Sequence, residues 1–348
     1  MRTILVTVGT SLLSNARRDL KVEQPSDQQL ANYLRHTAAE KATAETNSLS
    51  RLLKEGDHVV FLHSQTDEGK LCAEALRRHY KGEGYQACMR EVPDLTYTES
   101  RFKMRGLRSL VAKLIELIRH ERQEERQVLI NATGGFKAEI AYATLVGLLF
   151  DVPVYYIHEA FREIIEMPPT PISWDYTLLA NYEEFFEWIN GDYRPTVEVD
   201  RRLRGLPDEI RLLLTEEEGF TSLSPAGEAF YEAYREHLVQ AEYVPILVSA
   251  QARNTYDASA PDVRKLYDRA LRKLKSRELR ITGADRVRNC DCLVFPKGHR
   301  DERVFFFEGE DGRVHVCELA RHSDGSYERM IDRGVQRDAY RDFHEWKA

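Results

Sequence analysis

No apolar run in this 348-residue sequence approaches the roughly 20 residues that a membrane-crossing helix needs. The opening MRTILVTVGTS has the pattern of a strand rather than a basic, apolar and cleavable leader, so no secretory signal is expected. Cysteine is sparse. Of five residues only Cys290 and Cys292 are close together, and one Cys-x-Cys without a second ligand pair does not make a zinc site. Scattered thiols suit a reducing cytoplasm, where the protein is expected to reside. Positive charge is not in excess either: 50 Lys and Arg against 57 Asp and Glu leave a net charge of −7, which argues against a general electrostatic nucleic-acid binder. Neither G-x-x-x-x-G-K-[ST] nor G-x-G-x-x-G occurs, so triphosphate hydrolysis and dinucleotide chemistry have no support. Repeats and low-complexity tracts are missing, and no carboxylates cluster among the C-terminal basic residues as a metal-dependent nuclease requires. No metal, resident cofactor or membrane partner is expected.

With 42% hydrophobic residues, the chain has ample material for two or three packed cores. TILVTVG (Thr3 to Gly9), DHVVFLH (Asp57 to His63), VLINATG (from Val128) and PVYYIHE (from Pro153) are continuous apolar strands of the kind buried on both faces of a parallel sheet. Helical patterns separate them: AAEKATAETNSLSRLLKEG, EGKLCAEALRRHYKG, RSLVAKLIELIRHERQEER and KAEIAYATLVGLLFD. This alternation predicts a doubly wound α/β layer, with Val154 to Pro169 adding an antiparallel element at its edge. An acidic stretch, Asn181 to Tyr193, precedes a loss of periodicity that marks a boundary. Leu206 to Leu238 is compact and helical, with Ser224 placed to cap a helix that has Pro225 in its first turn. Beyond it come a strand (VPILVS), a basic amphipathic helix (APDVRKLYDRALRKLKS), a hairpin turning at Asp311-Gly312, and a closing helix around RDAYRDFHEW. Arg and Lys are dense from Asp262 to Arg303, a surface that could meet RNA. The expected fold class is multidomain, α/β plus α+β. Residues 1–190 form a Rossmann-like doubly wound sheet, 195–242 a small winged-helix-like connector, and 243–348 an α+β domain with an antiparallel sheet.

Open α/β sheets bind ligands beyond the carboxyl ends of their strands. Three such ends carry small polar residues: Gly9-Thr10-Ser11, His63-Ser64 with Gln65 and Thr66, and NATGGFK from Asn131 to Lys137. Glycine permits close backbone approach, a helix N-terminus offers N–H groups to an anion, and Lys137 is placed to reach a phosphate. ILVTVGTS together with INATGGFKAE resembles the CARF family, the CRISPR-associated Rossmann-fold sensors, over about residues 1 to 190. That resemblance implies a homodimer binding cyclic oligoadenylate across its axis, with a cyclic tetra-adenylate the favoured ring and six adenosines left open. It implies Gly9, Thr10 and Ser11 on one side of the ring and Thr133, Gly134, Gly135 and Lys137 on the other; His63, Ser64 and Asn131 are added as binding residues from their places at the strand ends. Some members also cleave the ring slowly, a role in which Ser11 and Lys137 would contribute.

Sensors of this kind commonly control a helical HEPN ribonuclease with an Arg-x4–6-His motif, for which Arg337 to His344 is a candidate. The strand-rich C-terminal pattern points elsewhere. FPKGHRDERVFFF and CELARHSDGSYERM set Lys297, Arg303, Arg321 and Tyr327 on or beside adjacent strands, a layout that resembles the RelE mRNA interferases over about residues 243 to 348. The resemblance implies metal-independent attack of a ribose 2′-hydroxyl on the adjacent phosphorus. Arg303 and Arg321 would hold the phosphate, Lys297 would supply charge or act as base, and Tyr327 would act as base or stack on a nucleotide. His299 and His322 lie near this surface as candidate bases, but the RelE resemblance does not call for histidine, so both are read as solvated side chains. Where the family places a second lysine this chain has Phe295, which leaves the base unidentified. Cys317 alternates into the core. The family's partners are the ribosome and its mRNA, cut in the A site. The whole chain therefore resembles a CRISPR-activated, ribosome-dependent mRNA interferase. A ring-responsive transcriptional regulator and a messenger-degrading ring nuclease are the alternatives.

Overall fold

The computed structural model describes residues 1–97, 105–157, 163–170, 172, 174–240, 244–298 and 300–347. The chain forms two compact units, Met1–Ile172 with Ile189–Ala233, and Ser173–Trp188 with Tyr234–Ala348.

In the first unit, strands β1 (Arg2–Val8), β2 (His58–Ser64), β3 (Gln86–Val92), β4 (Gln127–Asn131), β5 (Val154–Tyr156) and β6 (Ile165–Met167) make one sheet in the order β3-β2-β1-β4-β5-β6. The first five run parallel and β6 pairs antiparallel with β5. Strands β1, β2 and β4 are buried almost throughout because helices cover both faces, so most of their side chains are apolar, and the polar ones, such as Thr3, Thr7, His63 and Asn131, are hydrogen-bonded. Strand β3 lacks such a run. QACMREV mixes exposed and buried positions at the sheet edge, so an apolar-run criterion passes over it. Helix Ala44–Leu52 begins at a capping box in which Thr43 accepts from the Thr46 N–H. Helix Leu107–Gln123 buries Leu110, Val111, Leu114 and Ile118 at helical spacing. Ile4, Val6, Leu30, Phe61 and Leu76 are wholly buried in the core, each contributing about 1.5–3 kcal/mol.

A smaller sheet follows in the same unit: β7 (Arg194–Pro195), β8 (Leu214–Glu217) and β9 (Phe220–Leu223), antiparallel in the order β7-β9-β8. The helical reading of this stretch gives way to a hairpin, in which Leu214 pairs with Leu223 and Thr215 with Ser222. Helix Pro225–Gln240 starts as its sequence predicts, with Ser224 Oγ accepting from the Gly227 N–H at 3.0 Å. Its Glu228 and Glu232 pair with Arg108 and Arg119, each at 2.8 Å.

The second unit holds β10 (Ile246–Ser249), β11 (Asp285–Arg286), β12 (Leu293–Phe295), β13 (Glu302–Glu308), β14 (Val314–Arg321) and β15 (Phe343–Glu345), ordered β11-β12-β13-β14-β10-β15. All neighbours are antiparallel except β10 and β14, so the sheet is mixed where an antiparallel one was expected. Helices Ala250–Ala258, Pro261–Lys273 and Arg277–Gly283 occupy the crossover after β10, as a parallel neighbour requires. The predicted closing helix is instead a 3-10 turn, Arg337–Ala339, followed by β15 on the edge of β10. Phe343 packs against the core, while His344 and Glu345 are exposed. Arg337 and His344 therefore do not share a helix, and the Arg-x-His alternative loses its scaffold.

The basic helix Pro261–Lys273 is also less open than its composition suggests. The acidic helix Glu183–Ile189 of the same unit supplies Glu184 to Arg269, and Glu183 to both Arg272 and Lys273 at 2.9 Å.

Candidate functional site

The strand order of the first sheet reverses between β1 and β4, which makes the space beyond their carboxyl ends the expected ligand crevice. Gly9 ends β1, and the Gly134-Gly135 turn follows β4. A Cβ at Gly9 would lie 2.7 Å from the Gly135 nitrogen, so the two backbones touch. A Cβ at Gly134 would stand 2.1 Å from Glu45 Oε1 and 2.5 Å from the Thr7 carbonyl oxygen, and only glycine fits.

Two carboxyl groups bracket this turn. Glu45, wholly buried, accepts from the Gly9 N–H at 2.8 Å and from Ser11 Oγ at 3.2 Å. Burial raises its pKa. Glu139, in the first turn of helix Lys137–Leu149, accepts from the Phe136 N–H, and its Oε1 is buried without a hydrogen-bond partner. Burial pushes its pKa up to about 7, and the charge of Glu45 adds to the rise.

The expected ligand residues divide by exposure. His63 is buried, with Nδ1 2.8 Å from the Ser64 carbonyl oxygen, and the Ser64 hydroxyl meets Thr66 Oγ1 at 2.8 Å. Asn131 Nδ2 donates to Ser48 Oγ at 2.7 Å, and Thr133 Oγ1 donates to Asn131 Oδ1 at 2.8 Å. These side chains, with Gly9 and Gly134, knit the strand ends together. Thr10, Ser11, Gly135 and Lys137 reach the surface. Beside them Phe136 is half exposed, its ring centroid 4.5 Å from that of Tyr97. Neither aromatic was singled out from the sequence, although Phe136 sits inside the NATGGFK segment, where an apolar side chain at a strand mouth is itself a signal.

In the second unit a cavity of about 700 Å³ opens at one end of the sheet. Lys297, Arg303 and Tyr327 line it, as do Arg300, Asp301 and His322. Arg303 is 4% exposed; it donates to the Glu302 carbonyl oxygen at 2.9 Å and to that of Gly298. Its guanidinium lies 5.4 Å from the centroid of the Tyr327 ring. Burial lowers the Arg303 pKa and raises that of Tyr327. Phe295 is buried in the core.

Arg321 is not part of this lining. Across the hairpin Arg303 faces Ala320 while Arg321 faces Glu302, and adjacent residues on a strand leave opposite faces. Arg303 therefore shares its face with Phe305, Ala320 and Tyr327, whereas Arg321 Nε donates to Asp301 Oδ2 at 2.9 Å and to Ser323 Oγ at 3.1 Å. Asp301 and Ser323 are themselves cavity residues, so Arg321 stands one layer behind them. The structure thus brings three of the expected residues together and holds the fourth back. His299 lies outside the described residues. His322 sits at the cavity edge, with Nδ1 2.6 Å from Glu328 Oε1 and its ring 4.4 Å from Tyr327. Cys317 is buried, with its Sγ 3.6 Å from that of Cys292. No grouping of His, Cys, Asp and Glu suited to a metal ion occurs among the described residues, and no helix among them is long and apolar enough to cross a membrane.

Residues 40–170 match the family described as CRISPR-associated protein (Cas_APE2256). The matched stretch holds Glu45, β2 and the whole Asn131 to Lys137 segment. Among solved structures, protein VC1899 from Vibrio cholerae is 10% identical, covering 68% of this chain and 67% of its own, with a TM-score of 0.27. Can2 from Sulfobacillus thermosulfidooxidans, solved with cyclic tetra-adenylate, is 10% identical, covering 91% of this chain and 78% of its own, with a TM-score of 0.25. Likeness at those scores carries neither fold nor ligand across to this chain.

Proposed function

We propose that the chain is a CRISPR-associated effector in which cyclic oligoadenylate, favoured as the tetra-adenylate, binds a homodimer of the first unit. Binding then switches on a metal-independent, RelE-type endoribonuclease in the second, which cuts mRNA in the ribosomal A site. The sensor half is supported by the CRISPR-associated family match over residues 40–170 and by the glycine-lined turn at the switch point. One observation carries the nuclease half: Lys297, Arg303 and Tyr327 converge on a single open cavity.

That cavity suits a phosphodiester. Arg303 is held rigid by two backbone carbonyl oxygens, which leaves N–H groups for a phosphate. Lys297 adds a second positive charge, and the Tyr327 ring offers a stacking surface. Cations fixed in a partly desolvated site stabilise the extra negative charge of a pentacoordinate phosphorus. The set is small, and positioning of the RNA by the ribosome supplies what these side chains lack. Ring binding favours the active arrangement only to the extent that the ring binds that arrangement more tightly.

The test is primer extension on mRNA in a translating mixture and on the same mRNA free of ribosomes, with and without cyclic tetra-adenylate. Cuts are expected only with ribosomes and ring together. Equal cutting of naked RNA would remove the ribosome from the account, and no cutting in any arm would remove the nuclease.

A further inference from the structure

The geometry points to His322, oriented by Glu328, as the general base of this cavity, a role that rests on the ribonuclease reading above. The case begins with a gap. Lys297 is the single lysine among the described residues that line the cavity, and Phe295, two residues before it, is buried in the core. Tyr327 is a poor substitute, since burial raises the pKa of its phenol in spite of the Arg303 charge beside it. Lys297 is assigned to the leaving oxygen.

His322 follows the last residue of β14, and Glu328 lies in the first turn of helix Ser326–Arg333. The connecting loop brings Nδ1 to 2.6 Å from Oε1, which fixes the ring and leaves Nε2 as the second nitrogen. The imidazole packs against Tyr327 with centroids 4.4 Å apart, and Tyr327 packs against Arg303. Glu328, His322, Tyr327 and Arg303 thus form a continuous line from the exposed rim to the buried cation. Other charges around the imidazole come from Lys297, Arg300 and Asp301 in the cavity wall. The pair is exposed, 39% for His322 and 54% for Glu328, so as an ion pair it contributes little to stability. Base-plus-orienter geometry at the edge of a cationic cavity is what proton transfer needs.

The step balances without a co-reactant. Neutral Nε2 takes the proton of the 2′-hydroxyl as that oxygen bonds to phosphorus. The bond from phosphorus to the 5′-oxygen breaks, and the leaving oxygen takes a proton from the Lys297 ammonium, which recovers it from solvent. Arg303 holds the non-bridging oxygens. The products are a 2′,3′-cyclic phosphate and a 5′-hydroxyl, and Glu328 stabilises the imidazolium until it loses its proton.

The test is the pH profile, from 6.0 to 8.5, of ribosome-bound mRNA cleavage with cyclic tetra-adenylate. Wild type, His322→Ala and Glu328→Gln are compared, with ring binding as the folding control. Wild type is expected to gain rate as pH rises, as a reaction that needs a deprotonated base does. His322→Ala should lose about 100-fold or more, lose that limb, and regain rate with added imidazole. Glu328→Gln should lose about 10-fold, because the ring loses the carboxylate that orients it. Wild-type cleavage matched by His322→Ala in rate and profile overturns the dyad and leaves the nuclease standing. A wild type that cuts nothing overturns both.

Discussion

The two candidate sites sit at the ends of two sheets and are built in opposite ways. At the first, the strand ends are tied shut by their own hydrogen bonds, and the charges beneath them are carboxyl groups, Glu45 and Glu139. At the second, buried Arg303 faces an open cavity lined by further cations. A crevice already satisfied by internal bonds must rearrange to take a large ligand, whereas a cavity with its cation already fixed can receive a phosphate as it stands. That difference suits a sensor on one side and a catalyst on the other. With a pKa pushed up to about 7, Glu139 carries less than a full negative charge near neutral pH, which lowers the cost of placing an anion beside the N–H groups and Lys137.

The contrast is broken most directly at the second site. Arg303→Ala is expected to lower ring-stimulated mRNA cleavage at least 100-fold, about 3 kcal/mol of transition-state stabilisation, measured by primer extension. Arg321→Ala should cost only about 10-fold in the same assay, because Arg321 acts from behind Asp301 and Ser323. Equal losses would place both arginines on the phosphate after a change of side-chain position. At the first site, Gly134→Ala forces a methyl group against Glu45 and the Thr7 carbonyl. A loss of about 1–3 kcal/mol in denaturant unfolding is expected, together with loss of ring binding by calorimetry.

The pH dependence of stability sharpens the comparison further. The folded pKa of Glu139 is raised from 4.5 to about 7, so the native state holds a proton that the unfolded chain has released. Stability from this group is complete below about pH 4.5 and falls as pH rises towards 7, by about 3 kcal/mol at most. Glu139→Gln should flatten that part of the curve in denaturant midpoints taken between pH 4.5 and 8. The smallest effect is expected from Glu184→Gln, which breaks an exposed pair with Arg269. Stability should change by less than about 1 kcal/mol.

Much of the first unit was legible because buried parallel strands are written as apolar runs and their helices as regular repeats. The edge strand β3 was not, since half its residues face water. The glycine turn was visible as a motif, but the chain's own reply to it was not: Glu45 and Glu139 come from helices whose sequence shows only ordinary charged positions. In the second unit the hairpin was legible from Asp311-Gly312, while its register was not. A shift of one residue decides which arginine shares a face with Tyr327, and no local pattern states that pairing. The closing segment was misread because RDAYRDFHEW carries aromatics at spacings that suit both a helix and a short edge strand. His322 was passed over because its partner, Glu328, becomes its neighbour only once the loop between β14 and the next helix has formed.

The central claim is that the closed crevice governs the open cavity. Cleavage of ribosome-bound mRNA should be followed against cyclic tetra-adenylate concentration, for wild type and for Gly135→Val, whose side chain would strike Glu139 at a backbone φ of +94°. The account predicts cuts that appear with the ring in wild type and no response in the variant. Cutting that proceeds equally in both proteins without any ring would contradict it.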